Sequence, residues 1–151
     1  MSATGLEVFD RTIQTTNTWL GEIERDIGAD RRIAWKVLST VLHKLRDRLP
    51  IHLAAHLGAQ LPLLVRGVYY DQYQPAHRPS TCNTVHQFTA EVAEWLSDIR
   101  PIDAAAATTT VFALLSRHVT NGQIAKVQDA LPKSLREQWL EAETAMLALE
   151  P

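Results

Sequence analysis

His52 and His56 stand four residues apart in the stretch Leu49 to Tyr70, which reads LPIHLAAHLGAQLPLLVRGVYY. On a helix that spacing turns both imidazoles to one side, where a carboxylate could complete a zinc site with them. The glutamate of an H-E-x-x-H arrangement is missing, because Leu53 follows His52. His43 or Asp47 would have to approach through space as a third ligand. The pair therefore reads as a partly exposed helix face, and no metal is assigned to it.

Cys82 is the single cysteine, with His77 and His86 near it in sequence. A Cys–His dyad needs spatial contact and an electropositive setting, neither of which spacing supplies, so no catalytic residue is assigned. One cysteine also forbids an intrachain disulfide and points to a reducing cytoplasm. There is no G-x-S-x-G, P-loop or dinucleotide fingerprint, and no cofactor is expected.

Arg31, Arg32, Lys36, Lys44, Arg46, Arg48 and Arg66 could form a phosphate-binding patch. The whole chain argues against it: 17 acidic residues oppose 15 basic ones, the net charge is −2, and Asp30 and Asp47 interleave with the cations. Solvated faces and interhelical ion pairs are the simpler reading, and nucleic acid is not expected as a partner. Tyr69, Tyr70 and Tyr73 cluster where a helix runs into a loop, and they are candidates for a partner surface.

Helices must position all of these groups. Leu6, Phe9, Ile13, Thr16, Leu20 and Ile23 recur at helical spacing, with Thr4 as a cap and Gly28 as the stop. Asp30 then caps a second helix to Asp47, whose Ile33, Ala34, Val37, Leu38, Val41, Leu42 and Leu45 face inward and whose cations mostly face outward. Pro50 and Pro62 each end one helix and start the next, placing Leu53, Ala54, Leu57 and Leu61, then Val65, Val68 and Tyr69 inward, near-continuous with Leu63 and Leu64. The segment from Tyr73 to Asn83 holds two prolines and no periodicity, so it reads as a surface loop.

The second half predicts helices over Thr84 to Ile99, with Phe88, Val92, Trp95 and Leu96 inward, and then from Pro101 or Asp103 onward, with Ala104, Ala107, Val111, Phe112, Leu115 and Val119 inward. Asn121-Gly122 is expected to break the chain before a short helix bearing Ile124 and Val127. Pro132 starts the last helix, on Leu135, Trp139, Ala142, Met146 and Leu149. Trp19, Trp35, Trp95 and Trp139 all read as core or half-core residues. Nothing alternates with strand period, so the expected class is all-α.

Val119 to Trp139 is a degenerate copy of the stretch Leu49 to Tyr70. Aligning Leu61-Pro62 with Leu131-Pro132 sets an offset of 70 (131 − 61), which also superposes Arg66 on Arg136 and Tyr69 on Trp139. In the first helix of each half, Trp19-Leu20 superposes on Trp95-Leu96 at an offset of 76 (95 − 19). About eight helices are expected, as two four-helix repeats packed with pseudo-two-fold symmetry in one domain over residues 1–151: repeat one over about 5–73, a loop over 74–83, repeat two over about 84–149. Pro62, Arg66, Pro132 and Arg136, present in both copies, read as structural.

The blocks VLHKLRDRLP, AAHLGAQLPLLVRGVYY and LLSRHVTNGQIAKVQDALPKSLREQW together resemble the bacterial domain-of-unknown-function 2267 family, over about Phe9 to Trp139. The resemblance implies an all-helical bacterial unit and carries no catalytic residues with it. The N-terminus lacks the basic and apolar regions of a signal peptide, and the longest apolar run, Ala104 to Leu115, is interrupted by Thr108, Thr109 and Thr110. It falls short of the roughly 20 apolar residues a membrane span requires. The expectation is a soluble cytoplasmic, non-enzymatic protein that binds a protein partner or itself. The alternative is a small-molecule or metal-dependent enzyme with a pocket between the repeats, near His43, His52 and His56.

Overall fold

The computed structural model describes residues 3–76, 84–98 and 102–148. His77, Cys82, Ile99, Pro101 and Leu149 lie outside the described residues. Among those described, eight α-helices and no strands are found: α1 (Glu7–Ile27), α2 (Arg31–Arg46), α3 (Ile51–Ala59), α4 (Leu63–Tyr70), α5 (Val85–Leu96), α6 (Ala104–His118), α7 (Asn121–Asp129) and α8 (Lys133–Ala148). Among the described residues, no helix is long and apolar enough to cross a membrane.

Local chemistry sets most of the boundaries. Gly28 closes α1 in the left-handed conformation at φ 64°, which costs glycine no Cβ clash. Asp30 accepts the Ile33 N–H at the start of α2, Asp103 accepts from Ala105 and Ala106 at α6, and Thr84 and Thr120 cap α5 and α7. Pro50 and Pro62 occupy the capping position itself, in extended conformation, so α3 and α4 begin one residue later than the proline signal predicts. Two expectations at the termini are corrected. Thr4 does not cap α1; its hydroxyl donates to the Leu6 carbonyl and meets Asp10, and Leu6 takes the cap position. Asn121 and Gly122 do not break the chain, because the Thr120 cap draws both into the first turn of α7.

The long helices α1, α2 and α6 lie together, with α1 against α2, α4 and α6, and α5 against α2, α6 and α8. α3 packs on α7, and each also meets the helix that follows it. One cluster of buried apolar side chains draws on all eight helices, with Val37, Leu38, Val41, Leu42 and Leu45 of α2 and Val111, Phe112, Leu114 and Leu115 of α6 at its centre. Phe112 stacks on Trp139 at 4.2 Å, and the Trp139 indole N–H donates to Ser116 Oγ, so the largest buried ring also has its polar atom bonded.

The buried face of α1 differs from the expected one. Thr12, Thr16, Trp19, Leu20 and Ile23 are buried, whereas Leu6, Phe9 and Ile13 are exposed. The helix is turned so that Thr12 and Thr16 lie on the buried side and the first apolar residues face out. Leu63 and Leu64 are likewise exposed at the start of α4, and Trp95 is 53% exposed rather than in the core.

Burial of this kind makes α2 and α6 sensitive to truncation. Leu45→Ala is expected to lower unfolding free energy by about 2–5 kcal/mol in chemical denaturation, whereas Leu140→Ala on the exposed face of α8 should change it by less than about 0.5 kcal/mol.

Candidate functional site

α3 and α4 are only nine and eight residues long, and their last carbonyls have no partner within the helix. Arginines supply the donors. Arg66 Nε donates to the Gly58 carbonyl at 2.9 Å, and its Nη2 donates to Ala59 and Leu61. Seventy residues on, Arg136 Nε donates to Gln128 and its Nη2 to Leu131, at the end of α7. Arg46 is buried and gives Nη1 to the Tyr69 and Asp71 carbonyls at the end of α4, with Asp47 beside Nε and the Tyr73 ring 5.0 Å away. Arg48 is also buried, between the Lys44 carbonyl, the Glu91 carboxylate and the face of Phe88. The expectation that Arg46 faces solvent is therefore corrected: the guanidinium is drawn inside because it alone can answer several carbonyls at once.

His43 donates Nε2–H to the Val68 carbonyl at 2.5 Å, since a carbonyl can only accept. Burial lowers its pKa below that of free imidazole, outweighing the opposite pull of the Val68 bond. It lines a crevice of about 290 Å³ with Lys36, Lys44, Asp47, Asp71 and Trp95. The Trp95 ring carries Lys44 Nζ at 4.8 Å and Lys36 Nζ at 6.0 Å, so two lysine stems lie along the exposed indole.

His52 and His56 are exposed on α3 with their rings edge to face, 6.4 Å apart. Lys126 and Asp129 of α7 line the same groove, and His43 is absent from it. Among the described residues, no three His, Cys, Asp or Glu side chains are grouped so as to share a metal ion. Tyr69 is fully buried with its hydroxyl on the Ala54 carbonyl, and burial raises its pKa far above the ordinary phenol value. Tyr70 and Tyr73 are the members of that cluster open to solvent, and burial raises the pKa of Tyr73 as well. His86 is exposed on α5.

A further crevice lies between α1, the α3–α4 corner and the end of α6. It holds about 420 Å³ and is lined by Val8, Arg11, Thr12, Thr15, Trp19, Ala59, Gln60, Leu61, Pro62, Leu63, Arg66 and His118. Its walls are tied together. The Gln60 amide accepts the Thr120 N–H at 2.9 Å and donates to the Thr120 hydroxyl at 3.1 Å, joining the corner to the start of α7. Glu22 accepts from Arg117 at 2.8 Å and from His118 Nε2 at 2.6 Å, and the His118 ring stacks on Trp19 at 4.9 Å. Thr12 Oγ1 accepts the Leu64 N–H and fixes α4 on α1. The sequence reading missed this site. Its one legible trace is the run of threonines at 12, 15 and 16 on a face otherwise meant for large apolar side chains.

Residues 16–138 match the family model described as an uncharacterized conserved protein, DUF2267. The chain belongs to the DUF2267 family. A search of the curated proteins finds no match. The DUF2267 segment takes in both arginine-clamped corners, Arg66 and Arg136, and reaches from α1 into α8.

Two outcomes follow from these contacts. Arg46→Met removes the Nη1 group that donates to the Tyr69 and Asp71 carbonyls and is expected to cost about 1–3 kcal/mol in denaturant unfolding. For His43, the folded pKa lies below 6.5, so the unfolded chain binds the proton first, and stability that is complete above that value falls as the pH drops below it. Melting temperature should therefore fall between about pH 7.5 and about pH 5 more steeply for the wild type than for His43→Gln, which keeps a donor for Val68 and does not titrate.

Proposed function

We propose that this DUF2267 protein is a non-enzymatic helical interaction module of the bacterial cytoplasm, and that it associates with a second copy of itself. One observation carries this reading. Leu6, Val8, Phe9 and Ile13 at the start of α1 and Leu63 and Leu64 at the start of α4 are all about half exposed, on two helices bonded to each other through Thr12 and Leu64. Large apolar side chains gathered in this way, rather than scattered singly, mark an interaction surface. Charge favours a second copy as the occupant. Glu7 and Arg11 form an ion pair one turn apart near the start of α1, and two α1 helices laid antiparallel would let each Glu7 exchange its own Arg11 for the other's. The small net charge of −2 offers little long-range repulsion. Tyr70 and Tyr73 remain a secondary candidate surface. The cytoplasmic assignment rests on Cys82 being the only cysteine, and the bacterial one on the blocks of sequence that resemble the family.

We also infer that the halves are two copies of one four-helix unit about an approximate two-fold. Swapping helices one to four with five to eight maps the pairing α1 with α6 onto α5 with α2, and α1 with α4 onto α5 with α8. α3 and α7 have nine residues each, and the Arg66 and Arg136 bonds recur at the sequence offset of 70.

Sedimentation equilibrium tests the association. The wild type is expected to show twice the chain mass at high concentration, and Phe9→Glu with Leu64→Glu should return it to the monomer without lowering its melting temperature. Glu7→Arg alone should weaken the dimer, and the double exchange with Arg11→Glu should restore it. A monomer at every concentration up to about 1 mM, whether or not a different protein binds this surface, overturns the self-association reading.

A further inference from the structure

We propose that the crevice between α1, the α3–α4 corner and His118 binds a small carboxylate carrying a flat apolar body, such as an aromatic acid. Its volume of about 420 Å³ falls within the roughly 300–1,000 Å³ of small-molecule sites. Its apolar wall is Val8, Trp19, Leu61 and Leu63, and its polar wall holds Arg66 and Arg11, the latter ion-paired with Glu7 outside the crevice, with no Asp or Glu among the lining residues. Arg66 has its Nε and Nη2 committed to backbone carbonyls, while among the described residues its Nη1 meets no acceptor. A guanidinium held still by three carbonyls in the lining of an apolar slot, with one nitrogen uncommitted, is a preorganised donor for a carboxylate oxygen.

The reason the slot is open lies in the duplication, on which this step of the argument rests. At the offset of 76, Thr12 and Thr15 fall where the second half has Phe88 and Glu91; at the offset of 70, His118 falls where the first half has Arg48. In the second half that space is filled. Phe88 is fully buried beneath the Arg48 guanidinium at 4.8 Å, and Arg48 pairs with Glu91. The half built around α1 lacks both the aromatic plug and the acid, yet keeps the corner arginine. An aromatic carboxylate supplies the two missing pieces, a ring in place of Phe88 and an anion in place of Glu91. The walls are braced by the Gln60–Thr120 bonds and the Glu22–His118–Trp19 contacts, so the cavity does not depend on a ligand to form.

The test is an NMR titration of the 15N-labelled full chain with 2-naphthoate and with its neutral amide. Saturable shifts are expected at the Trp19 indole and at the Leu61 and Leu63 amides, with the amide analogue binding at least about tenfold more weakly. Thr15→Glu, which reproduces the acid of the other half, and Thr12→Phe, which reproduces its ring, should each abolish binding. Arg11→Gln should weaken it by about threefold or more, and Phe9→Glu on the outer apolar surface should leave it unchanged. The unfolding transition of each variant shows that it is folded, and two independent plugs guard against one of them failing to fold. Equal affinity for acid and amide, shifts centred away from Trp19, wild-type affinity in Thr15→Glu, or no saturation by about 10 mM would each overturn the proposal.

Discussion

Carbonyls left over at the ends of short helices are the constraint on which this structure turns. Helices of eight or nine residues are too short to be stable alone in water, and each ends with carbonyls that no amide of its own can reach. Proline at 50, 62 and 132 makes the breaks compulsory, because the preceding residue avoids helical geometry and proline brings no N–H. What closes the corners is a set of side-chain donors from outside the broken helix: Arg66, Arg136, Arg46 and His43. A guanidinium suits the task because it offers several N–H groups in one plane and stays charged at every relevant pH.

That constraint reaches the surface. Arg46 and Arg48 carry positive charge but hold it inside, against carbonyls, Asp47 and Glu91, so the basic stretch from Lys44 to Arg48 does not become a basic patch. The same clamps hold the α3–α4 corner stiff, and the corner is one wall of the crevice beside Trp19. Around it, side chains of unequal size in the two halves decide whether space is filled, by Phe88 and Glu91, or left open, by Thr12 and Thr15. Architecture and the candidate binding surfaces therefore share their residues: Leu63 and Val8 line the crevice and also belong to the exposed apolar surface.

Much of the fold was legible because its signals are local. The period of apolar residues in α2 and α6, the left-handed Gly28, the Asp30 cap and the prolines each act within a few residues of themselves. The failures are where burial depends on distant chain. Phe9 and Ile13 share a helix face with Leu20, but that face passes out of the core toward the start of α1, and Thr12 and Thr16, whose methyl groups hydropathy undervalues, take the buried side. Trp19 and Trp95 fall at matching positions and have opposite fates: one meets His118 and is covered, the other carries the ammonium groups of Lys36 and Lys44 over its ring and stays exposed. Asn121-Gly122 looked like a break because the pair favours positive φ, yet the Thr120 cap outweighs that preference. Beyond the threonines at 12, 15 and 16 the crevice left no mark in the sequence, since its walls come from three segments brought together only by folding.

Native-state hydrogen exchange on Arg66→Met and Arg136→Met tests most directly whether arginine holds the corners. Losing the Arg66 donors should let α3 and α4 exchange through a local opening far less costly than global unfolding, while amides of α7 and α8 keep their protection; Arg136→Met should reverse the pattern. Protection that falls evenly over all eight helices, or that does not change at either corner, would contradict the account.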